Sequence, residues 1–206
     1  LIDISKSDNQ VREFSNWATF SVSNLGLAKD LVSVFKDKSL NNLVLQAHGV
    51  RDPKTSRTSI RSDDLRSEEI TMSDISSFSK NGYIFERLSQ ENSVSFLREI
   101  LGKVKNDGNC VLGICNLGNP ETLKDAANAM TLLSGNRLNL YFVNGWSTAP
   151  YDGRRLLQPD GSLTAFIENA KYNVQGYWTP VSKNGVIGKP IKYIIIRDSS
   201  NPIEFK

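Results

Sequence analysis

Cysteine is scarce in this chain, 2 in 206 residues, and histidine is scarcer, with His48 alone. Two cysteines cannot make a disulfide scaffold. One histidine and two thiols cannot supply the usual ligand set of a structural zinc. No window approaches 18 consecutive apolar residues, so no membrane-spanning helix is expected. No Asn-x-Ser/Thr sequon occurs, and neither a phosphate-binding Gly-x-x-x-x-Gly-Lys-Ser/Thr loop, a dinucleotide Gly-x-Gly-x-x-Gly turn nor a Gly-x-Ser-x-Gly elbow is present. Charge of one sign is lacking too: 25 Lys+Arg stand against 22 Asp+Glu, a net +3 too mild to imply nucleic acid. The chain begins at Leu1 with no charged-then-apolar leader. It reads as an excised domain, or as a mature chain whose targeting segment has been removed. The compartment stays open, with a secreted or cell-surface place following if a leader was lost.

What is there is enough apolar sequence, 39% of residues, to build the core of one domain over 1–206. Leu1–Ile4 reads as a short strand. Leu25–Lys38 carries Leu27, Leu31, Val34 and Phe35 at helix spacing. Leu43–Leu45 begins a central strand that should stop at a Gly turn, Ala47-His48-Gly49. Residues 50–71 mix Arg51, Lys54, Arg57, Arg61 and Arg66 with Asp52, Asp63, Asp64, Glu68 and Glu69, which predicts a long, polar, exposed insertion. Ser93–Val104 is a second helical stripe, and Cys110–Cys115 is a buried strand. Asn119-Pro120-Glu121 gives an N-cap, a proline at the first helical position and an acid in the first turn of a third helix, which ends at Ser134-Gly135. Leu138–Val143 is the next strand. Such alternation predicts an α/β fold: a largely parallel central sheet in a three-layer α/β/α sandwich, covered on both faces. Ser162–Ala170 reads as a short helix. Residues 171–206 read as a β-rich tail, with a hairpin turn at Lys183-Asn184-Gly185 joining Asn173–Val181 to Val186–Arg197.

The chemistry concentrates at two strand ends. In a parallel sheet, ligands and catalytic groups gather at the carboxyl ends of strands. His48 ends one strand and Cys115 the next strong one. A thiol needs an adjacent base or a lowered pKa to attack a carbonyl at neutral pH. A helix N-terminus just after Cys115 would favour the thiolate through its dipole. Gly49 lets the chain turn and offers a backbone N–H where an oxyanion develops. Cys110 reads as a core residue instead. Five residues of strand separate the two cysteines by roughly 16 Å, and the odd offset puts them on opposite faces, so they do not pair.

Leu43-Val44-Leu45-Gln46-Ala47-His48-Gly49 and Val111-Leu112-Gly113-Ile114-Cys115 resemble the two signature blocks of the caspase-like cysteine peptidases. That superfamily includes caspases, legumains, gingipain- and clostripain-type peptidases and the self-cleaving domains of large bacterial toxins. The pair is 67 residues apart, longer than usual in the group, and the 50–71 insertion accounts for the surplus. Trp146-Ser147 and Asp160-Gly161-Ser162-Leu163 loosely resemble the later Ser-Trp and Gly-Ser segments of caspases, so the likeness covers about 43–168. It implies that Cys115 attacks, that His48 protonates the leaving amine, and that the N–H groups of Gly49 and Cys115 hold the oxyanion. No third acidic residue, metal or cofactor is implied. Trp146 and Ser147 are candidates for the wall of the substrate pocket, with Asp152 and Asp160 near them in sequence. Gly113-Ile114-Cys115-Asn116-Leu117 departs from both the caspase pentapeptide and the legumain Glu-Ala-Cys, which leaves specificity open.

The resulting expectation is a bacterial-type cysteine endopeptidase acting on a protein or peptide, its own parent chain included, with no nucleic-acid partner and no membrane span. The competing reading is an inactive caspase-like interaction module. A third role, as a site for an anionic small-molecule activator such as an inositol phosphate, would use Arg154, Arg155, Lys171, Lys183, Lys189 and Lys192. Such charges more commonly form a solvated face.

Overall fold

The computed structural model describes residues 2–3, 20–61, 69–81, 88–145, 163–165, 177–191, 194–196 and 204–205. In chain order these form β1 (Ile2–Asp3), β2 (Phe20–Ser21), α1 (Leu25–Val32), β3 (Leu40–Arg51), β4 (Thr58–Arg61), β5 (Glu69–Ile70), α2 (Met72–Asn81), α3 (Leu88–Gly102), β6 (Val104–Ile114), α4 (Pro120–Leu133), β7 (Asn139–Asn144), β8 (Leu163–Ala165), β9 (Tyr177–Val181), β10 (Ile194–Ile196) and β11 (Glu204–Phe205).

The protein is an α/β protein built on a six-strand path, β2-β1-β3-β6-β7-β9. Every neighbouring pair on that path is parallel except β7–β9 at one edge. Its centre is the long β3–β6 pair, in register from Asn42↔Asn109 to Ala47↔Ile114. Parallel strands need crossover helices, and these bury one face of the sheet.

Alternation along the strands shows which face that is. Leu43, Leu45 and Ala47 of β3, Cys110, Leu112 and Ile114 of β6, and Leu140 and Phe142 of β7 join one core with residues of all four helices. Phe142, Leu45 and Leu112 are among its largest fully buried side chains. The helices stand in one row over that face, α1 on α3, α3 on α2 and α2 on α4. Val44, Val111, Tyr141, Val143 and Trp178 are buried as well but lie outside that cluster, on the opposite face. Both faces of the sheet are therefore covered, and the four described helices all belong to one layer.

Several local expectations are corrected. β3 does not stop at Gly49; it runs on to Arg51 and turns back as a hairpin, with Gly49↔Ile60 and Arg51↔Thr58 paired to β4. β4 in turn pairs with β5. Part of the stretch expected to be exposed is buried, since Thr58, Ser59, Ile60 and Ile70 sit within the protein. Arg51, Asp52, Lys54 and Arg57 lie at or beside the exposed hairpin tip, while Ile60 and Ile70 reach the core. Leu163–Ala165 is a strand rather than the start of a helix, pairing antiparallel with β10, while 166–170 lie outside the described residues. The hairpin turn after β9 is present: the Ser182 amide donates to Val186 O, the Gly185 amide to Ser182 O, and Gly185 takes φ +77.

Candidate active site

The β3–β6 register decides what stands beside Cys115. Ala47↔Ile114 is the last pair, so the next residues on the two neighbouring parallel strands are His48 and Cys115. Neighbouring strands run about 4.8 Å apart. Both residues thus occupy the same carboxyl edge, side by side. By alternation His48 follows Val44 and Gln46, on the face away from the helix layer, and Cys115 follows Val111 and Gly113 on that same side. Cys115 and His48 are both partly accessible.

Gly49 makes the close approach sterically feasible. A Cβ built there would fall on the Cys115 carbonyl oxygen, 2.7 Å from its carbon and 3.0 Å from the Cys115 nitrogen. No side chain fits between these backbones. The glycine serves contact with the Cys115 peptide unit, and not the turn that its place in the sequence suggested.

Beyond Cys115 the chain enters a tight turn. Leu117 N–H donates to Ile114 O at 3.2 Å, and Asn119 N–H to Asn116 O at 3.2 Å. Asn116 has φ +61, a left-handed conformation that costs a non-glycine residue on the order of 1 kcal/mol and that Asn tolerates better than most. Bonds from distant elements hold it there. Its N–H donates to Gly145 O at the end of β7, its carbonyl accepts from Thr58 Oγ1 at 3.3 Å, and its Oδ1 accepts from Asn119 Nδ2 at 3.1 Å. Gly118 N–H adds a bond to Val143 O at 2.8 Å. The Asn119 side chain does not cap α4, because it is used on Asn116 instead. α4 begins only at Pro120, and a helix dipole falls off within a turn. The turn therefore stands between Cys115 and the helix N-terminus expected to act on it directly.

Cys110 contrasts with Cys115 in burial and in the face it occupies. It is fully buried among the helix-facing residues, and burial pushes its thiol up to about 12. It is a core residue, as its place in the strand suggested.

A separate cleft of about 570 Å³ opens between the β3–β4 hairpin, α2 and α4. Neither His48 nor Cys115 lines it. Its walls are polar: Ser59 donates to Glu69, Arg57 lies 3.6 Å from Asp125, and the Lys54 and Thr55 amides hold the Asp52 carboxyl below its usual range. Thr58 and Thr122 form its inner wall, joined by a 3.0 Å bond from the Thr58 amide to Thr122 Oγ1.

Trp146 and Ser147 lie outside the described residues, as do Asp152, Arg154, Arg155, Asp160, Lys171 and Lys192. Of the lysines assigned to an anion site, Lys183 is ion-paired with Asp107, which removes it from a free basic patch, and Lys189 is exposed. Among the described residues no group of three or more His, Cys, Asp or Glu side chains is placed to hold a metal ion. No described helix is long and apolar enough to cross a membrane. Thr58, Asn116 and Gly145 were not singled out from sequence. The Asn116–Asn119 spacing was the one available signal, since Asn is the residue type that favours a left-handed turn.

No protein-family model, no curated protein and no solved structure matches the chain.

Proposed function

We propose that the chain is a cysteine endopeptidase of the caspase-like kind, with Cys115 as nucleophile and His48 as general acid and base. The observation that carries this reading is the strand register, which leaves His48 and Cys115 as adjacent residues on one sheet edge. The contact between Gly49 and the Cys115 backbone supports it, because the two N–H groups proposed for the oxyanion belong to touching peptide units. The differing environments of the two thiols support it again: one buried, one partly accessible beside a histidine.

The reaction then runs in two halves. His48 takes the proton of the Cys115 thiol as Sγ attacks the scissile carbonyl carbon, and the new oxyanion is held by the Gly49 and Cys115 amides. Collapse breaks the C–N bond as His48 donates a proton to the leaving amine, leaving a thioester on Cys115. His48 next takes a proton from water, whose hydroxyl attacks the thioester carbonyl. The C–S bond breaks, releasing the new carboxyl product and the thiol. The substrate is a protein or peptide segment, with the parent chain itself in that class.

The test compares iodoacetamide alkylation of Cys115 and Cys110 across pH, read by peptide mass spectrometry. Cys115 should label fast well below pH 8.5, the approximate pKa of an ordinary thiol, and lose that advantage in His48→Ala. In a peptide-library assay Cys115→Ala should abolish cleavage while Cys110→Ala retains it. Equal loss from both, or Cys115 labelling no faster than a free thiol, rejects the reading in favour of a non-catalytic module.

A further inference from the structure

We propose that Thr58 is a positioning residue for the nucleophile, bracing the turn that follows Cys115 from the β3–β4 hairpin. This rests on the reading of Cys115 as an attacking thiol. Thr58 is 3% exposed and sits at the start of β4, opposite Arg51. Its hydroxyl donates to the carbonyl of Asn116, the residue next to Cys115, at 3.3 Å. Its own amide is fixed on Thr122 Oγ1 at 3.0 Å, and Thr122 is 1% exposed in the first turn of α4. Through its hydroxyl and its amide the residue thus joins three elements: the hairpin, the turn after the nucleophile, and the helix that follows.

The turn needs such a brace because of its backbone. Asn116 is held at φ +61, and a left-handed non-glycine residue persists only where its surroundings over-determine it. Two of the groups bonded to Asn116 come from its own turn, through Asn119. The long-range ones are Gly145 O, on its N–H, and Thr58 Oγ1, on its carbonyl. Gly145 fixes the amide side of the residue and Thr58 the carbonyl side. Together they set the peptide orientation that leads out of Cys115, and with it the direction in which the Cys115 amide and Sγ are presented. In this account the returning strand of the hairpin is a working part of the site, although Thr58 itself does not touch the reacting bond.

The fold also explains why Thr58 itself has this role. β3 runs past His48 without a break and returns one hairpin later. The same ribbon that carries His48 therefore also delivers Thr58 to the partner residue's turn. Histidine and nucleophile are registered twice, once by the β3–β6 ladder below the site and once by Thr58 above it.

The experiment is the iodoacetamide rate of Cys115 at pH 7 in wild type, Thr58→Val and Thr58→Ser, with Cys110 labelling and thermal midpoint measured alongside. Thr58→Val keeps the shape and removes the hydroxyl; Thr58→Ser keeps the hydroxyl. The proposal expects Thr58→Val to label Cys115 about fivefold more slowly, the weight of one hydrogen bond, with Cys110 still protected and Thr58→Ser near wild type. Where a peptide substrate is in hand, kcat should fall with KM held. Fast wild-type labelling that is unchanged in a folded Thr58→Val overturns the positioning role and leaves the dyad standing. Slow wild-type labelling overturns the dyad, and the positioning role falls with it. If Thr58→Val exposes Cys110 by unfolding, Thr58→Ala against Thr58→Ser makes the same comparison, since both lose the methyl and only one loses the hydroxyl. Equal Cys115 rates in that pair overturn the proposal.

Discussion

Gly49→Ala adds a single methyl group at the tightest backbone contact of the site. The new Cβ meets the carbonyl oxygen of Cys115, with that carbonyl's carbon at 2.7 Å and the Cys115 nitrogen at 3.0 Å. Ordinary carbon contacts settle near 3.5–4.0 Å, so one of the two backbones must move by about 1 Å. None of these atoms is the far end of a flexible side chain, and relief therefore comes from β3 or from the turn at Cys115. Gly49 does not have a positive φ, so the cost is steric rather than conformational. Overpacking of this kind costs about 1–3 kcal/mol, which for a domain of this length lowers the thermal midpoint by roughly 2–12 °C. The effect on reactivity should be larger in proportion. A misplacement of about 1 Å at a reacting group is worth on the order of a hundredfold in rate. The assay measures thermal midpoint and Cys115 alkylation rate in the same samples, with Gly102→Ala as the control because a methyl there meets nothing within 4 Å. Gly49→Ala should be both less stable and far slower to alkylate, while Gly102→Ala stays within about 2 °C of wild type. A Gly49→Ala protein with wild-type midpoint and wild-type Cys115 rate would refute the packing argument.

Two further outcomes follow from the core. Burial raises the Cys110 thiol from 9.0 to about 12, so between those values the unfolded chain loses a proton that the folded chain keeps. Stability should fall as pH rises through that window, and the fall should be shallower in Cys110→Ala, measured as thermal midpoint at pH 8, 10 and 11. Phe142, fully buried where the central sheet meets the helix layer, should cost about 3–5 kcal/mol when cut to Ala. Urea unfolding would show this as a lower midpoint at an unchanged slope, and a shift of under about 1 kcal/mol would place the core elsewhere.

The alternation of helix and strand was legible in the sequence wherever apolar residues repeat strongly. α3, α4 and the strands at 43–47, 110–114 and 139–143 all show it, and the α/β class follows from their order. α1 forms too, but it ends at Val32 and buries Leu25, Ala28 and Val32, while Leu27, Leu31 and Val34 of the expected stripe are exposed. The misreadings have separate physical causes. Gly49 reads locally as a stop signal, but its missing side chain serves a contact 66 residues away in sequence, which no local rule registers. Leu163 shares helix spacing with Phe166 and Ile167, yet three residues pair with Ile194–Ile196, and a run that short is decided by its partner strand. Asn119 has the sequence of an N-cap and the right backbone for one, but Asn116 takes its side chain. α2 is hard to read because Ser73, Ser76, Ser77 and Ser79 dilute its period; among its residues whose side chains are described, Met72 and Ile75 are the buried apolar ones. At the site, His48 and Cys115 were legible from residue chemistry, a local property, although His48 lies inside β3 and not at its end. Thr58 was not, since nothing in its neighbourhood announces a bond to a carbonyl 58 positions along.

The anchors of the turn after Cys115 also bear on when the site comes into being during folding. They reach back to Thr58 and forward to Thr122 and Gly145, with one bond spanning 58 residues and another 64. Contacts of such long sequence separation require large loops to close and tend to form late. A growing chain that has passed Cys115 but not yet supplied Gly145 lacks the acceptor for the Asn116 amide. The thiol therefore acquires its final surroundings only after β7 is in place, when the sheet that holds it is nearly complete. The order in which its parts arrive thus delays the final geometry around Cys115 until the fold is nearly whole.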